Sequence, residues 1–530
     1  MSGSEVSNLQ TKITKAAITI AVFSICSRIL GLLRDRLLAA NFGAGDTLDA
    51  YYTAFKIPDF IFNILVLGGL ASAFIPVFIG LKAKQGTEES WKVVNIVFNI
   101  LFLILGGLAI IGIFFAADLV PLVAPGFAGD KLNLTIKLTK VMMLAIIFFG
   151  ASNTFSVVLN SYKRFVAYSL APVLYNLGII FGIIVLVPIV GFEGLGYGVL
   201  LGSILHMLIQ LPSVLKLGWR WRWHINIFNE SVKKIVRLIL PRTFGLAVHS
   251  FNQIVISIFA STLAAGSLAS FSLALNLQTF PINVFGVSLA IAAFPIFSEA
   301  WSNNKTGEFI SHLNDSIRRV LFFVIPLSML FLILRAQIVR VVLGSGAFDW
   351  SDTIRTAQVF GLLALSLVAE SLLPIIARAF YALQDTKTPV LVSSASLILN
   401  IFLSFLLVKP FGLIGLALAY VIAGILNFSV LIFLLGERLG DLQSRKVITS
   451  TLRIIMAAVP AGLVTYALLH LIAPYVDMHT FIGVFSQGFI AGLAGIVCYL
   501  ILASYLKMEE MHFVHSFLAS VLSKIRYGYK

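Results

Sequence analysis

The chain has 530 residues, of which 59% are hydrophobic and only 12% charged, and its mean hydropathy is +0.99. This excludes a soluble globular enzyme, a disordered chain and a small disulfide scaffold, and leaves a polytopic membrane protein. Lys and Arg number 38 against 23 Asp and Glu, a net charge of +15, and such a surplus must be set against membrane topology before nucleic acid is considered.

In chain order, apolar runs separated by short polar breaks predict fourteen spans, at 14–40, 47–81, 93–116, 133–160, 165–188, 194–216, 234–260, 267–297, 319–344, 355–382, 389–408, 411–435, 449–473 and 481–506. Most are long enough to cross about 30 Å of hydrocarbon. The first runs past Arg28 without a small-residue cleavage site, so it reads as a span and not a removed leader. With the N-terminus placed in the cytoplasm and the sides alternating, the inside basic residues far outnumber the outside set of Lys131, Lys137, Lys140, Arg335, Arg340, Arg355 and Lys409. That asymmetry predicts both termini inside, and it absorbs most of the positive charge without nucleic acid. Trp91, Trp219, Trp221, Trp223, Trp301 and Trp350 all fall near span ends, as interfacial anchors do. Cys26 and Cys498 lie in apolar segments and imply neither a disulfide nor a metal, and no cofactor is expected. Residues 508–526 read as an amphipathic helix on the cytoplasmic membrane surface.

The chain repeats itself. Residues 28–79 and 242–297 share an early Gly (Gly31, Gly245), a Gly-containing turn (Gly45, Gly266), a Pro within the second span (Pro58, Pro281) and an A-F-(x)-P near its end (Pro76, Pro295). A second pair matches 159–176 to 383–400, each copy followed by a Gly-rich span start, GLGYG and GLIGLAL. The expected fold is all-α, with about fourteen transmembrane helices in two pseudo-symmetric six-helix lobes plus two C-terminal helices. The lobes are 1–222 and 223–440, and 441–530 carries spans 13 and 14 and the tail. Duplicated lobes around a central cavity are a transporter architecture.

Burying an ionised side chain in a membrane costs about 2.5–3.5 kcal/mol on insertion scales. The first two spans nonetheless hold Arg28, Arg34, Asp35, Arg36, Asp49 and Lys56. Arg28 and Arg34 share a cavity only if the helix bends, and Gly31 is the place for it. Arg28, Arg34, Asp49 and Lys56 are the candidate substrate-binding residues. Arginine suits an anionic headgroup because its planar fork pairs with phosphate and stays charged. The alternative for Arg36, Asp49 and Arg34 is an interfacial position, snorkelling or paired. Glu370, inside LVAESLLP, is either an ion or proton site or a partner of Arg378, and Asp385 reads as a helix cap. There is no G-x-x-x-x-G-K-[ST] and no catalytic carboxylate or histidine cluster, so neither an ATPase nor another enzyme is expected. His512 and His515 at i, i+3 are a weak metal candidate, outweighed by the tail-helix reading.

The segment SRILGLLRDRLLAANFGAGDTLDAYYTAFKIP (27–58) closely resembles the start of the MurJ/MviN family, lipid II flippases of bacterial peptidoglycan synthesis within the MOP exporter superfamily. The S-R-x-L-G-x-x-R-D, F-G-A-G, D-A and A-F-K-x-P elements appear in order, followed by Ala73, Phe74 and Pro76. The resemblance implies a V-shaped pair of lobes with alternating access in the bacterial cytoplasmic membrane. The substrate it implies is undecaprenyl-pyrophosphate carrying a disaccharide-pentapeptide, flipped from the inner to the outer leaflet. Arg28 and Arg34 would engage the headgroup, Asp49 would be a functional acid near the outer gate, and spans 13 and 14 would form a groove for the lipid tail. The partners implied are that lipid-linked precursor and membrane lipids, with membrane potential or a monovalent cation as driving force and a monomer as the working form. Three positions depart from the family pattern. Phe62 stands where an arginine is expected and Leu67 where an acid is, and near the span-eight proline Asn276 replaces an arginine. No sodium site carries over. A flippase for another polyprenyl-pyrophosphate glycan is therefore the alternative. A cation-coupled multidrug exporter is a weaker one, because it would line its cavity with carboxylates.

Overall fold

The computed structural model describes residues 3–67, 70–440, 442–478 and 480–512. Every regular element among them is helical, as the apolar runs require, since a helix satisfies its backbone polar groups internally. The chain forms two compact units. One holds the residues up to Ala269 together with Ser345–Asp349, and the other holds Ser270–Gly344 and the described residues from Trp350 onward.

In the first unit the elements are α1 (Gly3–Phe42), α2 (Asp46–Ala54), α3 (Lys56–Phe62), α4 (Leu70–Phe114), α5 (Ala116–Val123), α6 (Gly129–Ser161), α7 (Phe165–Phe181), α8 (Val187–Val190), α9 (Gly194–Leu208), α10 (Leu211–Lys216) and α11 (Glu230–Ser261). Helix α6 packs on α4 and α9, and α7 packs on α1 and α9. The core is Phe74, Phe78, Val94, Phe155 and their neighbours. Residues 217–228 have no helix of their own and are carried by α4 instead. The Asn95 and Asn99 side chains, one turn apart, donate to the carbonyls of Arg220, Arg222 and His224. In return Asn95 accepts from the Arg222 N–H and Asn99 from Trp221 Nε1.

The GLGYG start of α9 has a packing reason. A Cβ on Gly198 would come within 2.7 Å of Gly182 Cα, and one on Gly178 within 2.4 Å of Gly202 Cα. Glycines four residues apart on both helices thus let the two backbones touch, as small residues do at membrane helix interfaces. Gly198→Leu is expected to cost about 1–3 kcal/mol or more through overpacking. Gly106→Ala, which meets nothing within 4 Å, should leave thermal unfolding of the detergent-purified protein at or above the parent's midpoint.

In the second unit the elements are α12 (Ser267–Pro281, its first turn within the first unit), α13 (Ser288–Ser302), α14 (Thr306–Ile333), α15 (Arg335–Leu343), α16 (Trp350–Ala382), α17 (Lys387–Leu439), α18 (Ser444–Ile472) and α19 (Phe481–Tyr505). Helix α14 packs on α16 and α18, α17 on α16, and α19 on α18, around Phe297, Phe309, Phe322, Phe380 and Leu435. Asp385 is the cap the sequence predicts. Its Oδ1 accepts the N–H groups of Lys387 and Thr388 at 3.0 Å each, at the start of α17.

The described residues of the predicted segments are almost all helical. Nine described helices are long and apolar enough to cross a membrane, and Phe165–Lys216 and Lys387–Leu439 each hold two of the segments. The first repeat pair is visible in the backbone. A π-helical turn follows Pro58 at Asn63–Leu67, and another follows Pro281 at Ile282–Val287. The turns before α7 and α17 carry positive φ at Lys163 and Gln384, with matching bonds from Arg164 N to Leu159 O and from Asp385 N to Phe380 O. The same helix-end geometry recurs after α13, at Asn304, with a bond from Lys305 N to Ala300 O.

After α19, Arg318 of α14 donates to Glu509 and Glu510 at 2.7 Å each, and Ser450 of α18 donates to Glu510 at 2.8 Å. Of the predicted tail helix, residues 513–526 lie outside the described residues, as does His515. The Arg318 hydrogen bond and charge hold the Glu509 carboxyl below the usual glutamate range. A depressed carboxyl stabilises the fold above its unfolded pKa and loses that contribution as pH falls through the folded value. The parent should therefore lose a small increment of thermal stability on acidification through the carboxylate range. Arg318→Gln should lose stability at neutral pH and flatten that slope.

Candidate functional site

The charged residues of the first two spans lie in the first unit, on α1, α2 and α3. Helix α1 keeps an unbroken helical backbone from Gly3 to Phe42, with no interruption at Gly31. With helical geometry throughout, Arg28 and Arg34 project about 120° apart. A Cβ on Gly31 would meet only Asn176 Oδ1, at 3.9 Å, so space does not demand glycine at this position.

Arg34 turns back on its neighbour. Its Nε and Nη2 donate to Asp35 Oδ1 at 3.0 and 2.8 Å, and Nη1 donates to Asn176 Oδ1 of α7 at 3.2 Å. Asn176 Nδ2 in turn meets the Ser27 carbonyl, the Ser27 hydroxyl and the Pro172 carbonyl at 3.1–3.3 Å. The Ser of the S-R motif and the Arg seven residues on are thus joined through one amide. Arg34 uses three of its five N–H donors in this way and its side chain keeps 21% exposure, so two donors remain for an anionic oxygen. Arg28 is half-buried.

Asp49 is buried and fully engaged. It accepts from Gly266 N and Ala269 N at 2.8 Å each, at the first turn of α12, and from Lys131 Nζ at 2.6 Å. Lys131 also pairs with Asp46 at 2.8 Å. The carboxylate therefore caps a helix that starts more than two hundred residues later and neutralises the lysine at the start of α6, a favourable place for an anion.

Lys56 opens α3. It is half-buried, and its Nζ lies 3.4 Å from Gln253 Oε1 of α11. One turn on, Asp59 lines a cavity of about 240 Å³ with Phe55, Phe62, Asn63, Phe149 and Tyr175. Asn63, at the start of the π turn, donates to Ser250 of α11 at 3.1 Å. The sequence reading passed over Asp59. Acids are scarce in the spans and this one stands three residues from Lys56 on one helical face, which is the signal that identifies it. Phe62, where the family pattern has arginine, packs its ring on Phe149 with centroids 5.6 Å apart. The polar groups that line the cavity are thus the Asp59 carboxylate and the Asn63 amide of this stretch and the Tyr175 phenol of α7.

In the second unit Glu370 of α16 is half-buried, with Oε1 against Gly424. It forms no ion pair with Arg378, which donates to the Val287 carbonyl at 3.3 Å instead. Among the described residues no group of three His, Cys, Asp or Glu is placed to hold a metal ion.

Comparison with known proteins gives a consistent result. The family described as lipid II flippase MurJ matches residues 38–486; Arg28 and Arg34 precede that stretch. A probable lipid II flippase MurJ of Buchnera aphidicola subsp. Schizaphis graminum is 31% identical over 432 residues, covering 80% of this chain and 84% of that protein. The lipid II flippase MurJ of Burkholderia cenocepacia is 29% identical over 464 residues, covering 86% and 89%. A structure of lipid II flippase MurJ in an inward closed conformation superposes with a TM-score of 0.76 at 28% identity, covering 92% of this chain and 98% of that one. An inward-facing multidrug resistance MATE transporter of the MOP superfamily gives a TM-score of 0.68 at 16% identity, covering 79% and 96%. This last likeness is one of fold.

Proposed function

Because the chain belongs to the lipid II flippase MurJ family, we propose that it is a lipid II flippase, a multi-pass protein of the bacterial inner membrane that carries the lipid-linked peptidoglycan precursor from the inner to the outer leaflet. The observation that carries this reading is the likeness to a MurJ structure along 92% of this chain and 98% of that one. It is a transporter and not an enzyme, and its helices supply binding and gating in place of reacting groups.

The mechanism is alternating access between the lobes 1–222 and 223–440, with 441–530 appended and both termini in the cytoplasm. Arg28, Arg34 and Lys56 supply positive charge for the pyrophosphate, and Asp49 holds the outer end of the second span in place. The remaining Arg34 donors support this role, since a guanidinium already oriented by Asp35 and Asn176 loses little freedom on meeting a phosphate oxygen. Differential binding of the headgroup to the inward state starts the cycle. Membrane potential biases it, at about 2.3 kcal/mol per charge moved through 100 mV, and the working form is a monomer.

One observation favours a second substrate within the same chemistry. Phe62 packs against Phe149 where the family pattern has a cation, and this suits a flippase for another polyprenyl-pyrophosphate glycan. Complementation in bacteria depleted of their own lipid II flippase decides between the two. Rescue by the parent supports lipid II transport. A well-expressed, membrane-inserted parent that fails to rescue overturns it in favour of the other glycan.

A further inference from the structure

The cavity beside α3 carries polar groups of the wrong kind for a phosphate. It holds about 240 Å³ and is lined by Phe55, Asp59, Phe62, Asn63, Phe149 and Tyr175 among others, all within the first unit. Pockets that enclose a whole small ligand run to roughly 300–1,000 Å³, so this recess is sized for one ring of a larger headgroup.

Its polar atoms are acceptors without donors. Asp59 is exposed, and among the described residues its carboxylate forms no hydrogen bond and no ion pair. Asn63 gives Nδ2 to Ser250, which leaves Oδ1 to accept. The Tyr175 hydroxyl has no hydrogen-bond partner among the described residues, and neither it nor Asn63 Oδ1 is sealed from solvent. A carboxylate only accepts hydrogen bonds, and it repels phosphate. No lysine or arginine lines the recess among the described residues. The cations stand at its edge. Lys56 lies about one turn before Asp59 on α3, and Arg34 is bonded to Asn176, the residue after Tyr175.

The remaining polar-free wall is largely aromatic. Phe149 meets Phe62 at 50° and Tyr175 at 73°, so these rings are not stacked in pairs. Ring faces carry negative charge density and suit the C–H face of a pyranose, while the acceptors suit its hydroxyls. An ammonium group would also meet a carboxylate and aromatic rings. Lys56 already sets a like charge one turn away, however, and a neutral polyol meets no such repulsion.

We propose that this recess is a pyranose subsite, which holds the sugar joined directly to the pyrophosphate. Asp59 and Asn63 Oδ1 accept from its hydroxyls, the Tyr175 hydroxyl completes the set, and the phosphates lie toward Lys56 and Arg34. Hydrogen bonds from O–H to a carboxylate are the stronger, charge-assisted kind, so Asp59 is the residue that reads the sugar. The inference rests on reading the chain as a flippase of polyprenyl-pyrophosphate glycans, and it holds for lipid II and for another glycan alike.

Native mass spectrometry of the full-length protein in detergent tests it, with undecaprenyl pyrophosphate and undecaprenyl pyrophosphate bearing one N-acetylglucosamine as the two probes. The parent should bind the sugar-bearing lipid more tightly by about tenfold or more. Asp59→Asn should cut that preference about fivefold or more through weaker binding of the sugar-bearing lipid. The bare lipid should not weaken, because a charge that repels phosphate is gone. Phe62→Arg, which brings a cation into the recess, should tighten the bare lipid and narrow the preference. Equal binding of the two lipids by the parent overturns the subsite and leaves the flippase reading standing. Binding of neither overturns that reading and the subsite with it. An Asp59→Asn variant that weakens both lipids alike gives Asp59 a structural role and overturns the proposal. Loss of the preference in methylammonium chloride, but not in sodium chloride at equal concentration, assigns the recess to an ammonium group instead. Should Asp59→Asn fail to fold, Tyr175→Phe, which removes only a hydroxyl, should lower the same ratio, and an unchanged ratio overturns the subsite.

Discussion

Asp49→Ala is expected to cost about 3–5 kcal/mol of stability, the range for removing one partner of a buried pair. Two losses combine. Lys131, only 14% exposed at its side chain, keeps a single carboxylate in Asp46, itself 63% exposed. The N–H groups of Gly266 and Ala269 lose their acceptor at the start of α12, and an unmet buried donor costs about 1–3 kcal/mol. Asp49→Asn keeps an oxygen for one of these N–H groups and should fall between the parent and the alanine variant. Thermal unfolding in detergent, with Lys131→Met and the double variant, closes the cycle and gives the coupling between the two charges. A midpoint for Asp49→Ala equal to the parent's would remove the structural role and return this acid to the substrate path.

Arg34→Ala and Arg28→Ala should abolish complementation at matched expression, and Arg34→Lys should not restore it. A lysine reaches one oxygen with a point charge, whereas Arg34 holds Asp35 with two nitrogens and Asn176 with a third. A structural account of the same residue predicts a different pattern. If Arg34 only neutralises Asp35, then Arg34→Met combined with Asp35→Leu should recover both folding and transport, because an apolar pair often replaces a buried ion pair without loss. If the remaining donors meet the headgroup, that double variant recovers folding and not transport. Thermal stability and complementation read side by side separate the two.

The spans were legible because hydropathy over twenty residues outweighs local detail. The Asp385 cap was legible because capping is local. What escaped was non-local or subtle. Lys131 read as one more outside cation, and nothing local ties it to Asp49, 82 positions earlier in the chain. Asn176, an unremarked amide in the fifth span, proved to be the junction between Ser27 and Arg34. Asp59 went unnoticed beside Pro58, though it lines a cavity with Phe62, the position at which the family pattern has arginine.

The π turn at Ile282–Val287 spends one more residue on a circuit than an α-helix does, so the side chains of α13 are set back by about 100° from the phase of α12. This span therefore has two reading frames, one that buries Leu277 and Gln278 before the turn and one that buries Ala293 and Phe297 after it. In alignment terms the turn is a place where the chain can shed one residue and close to a plain α-helix. The same deletion elsewhere in this span would turn a buried face toward lipid.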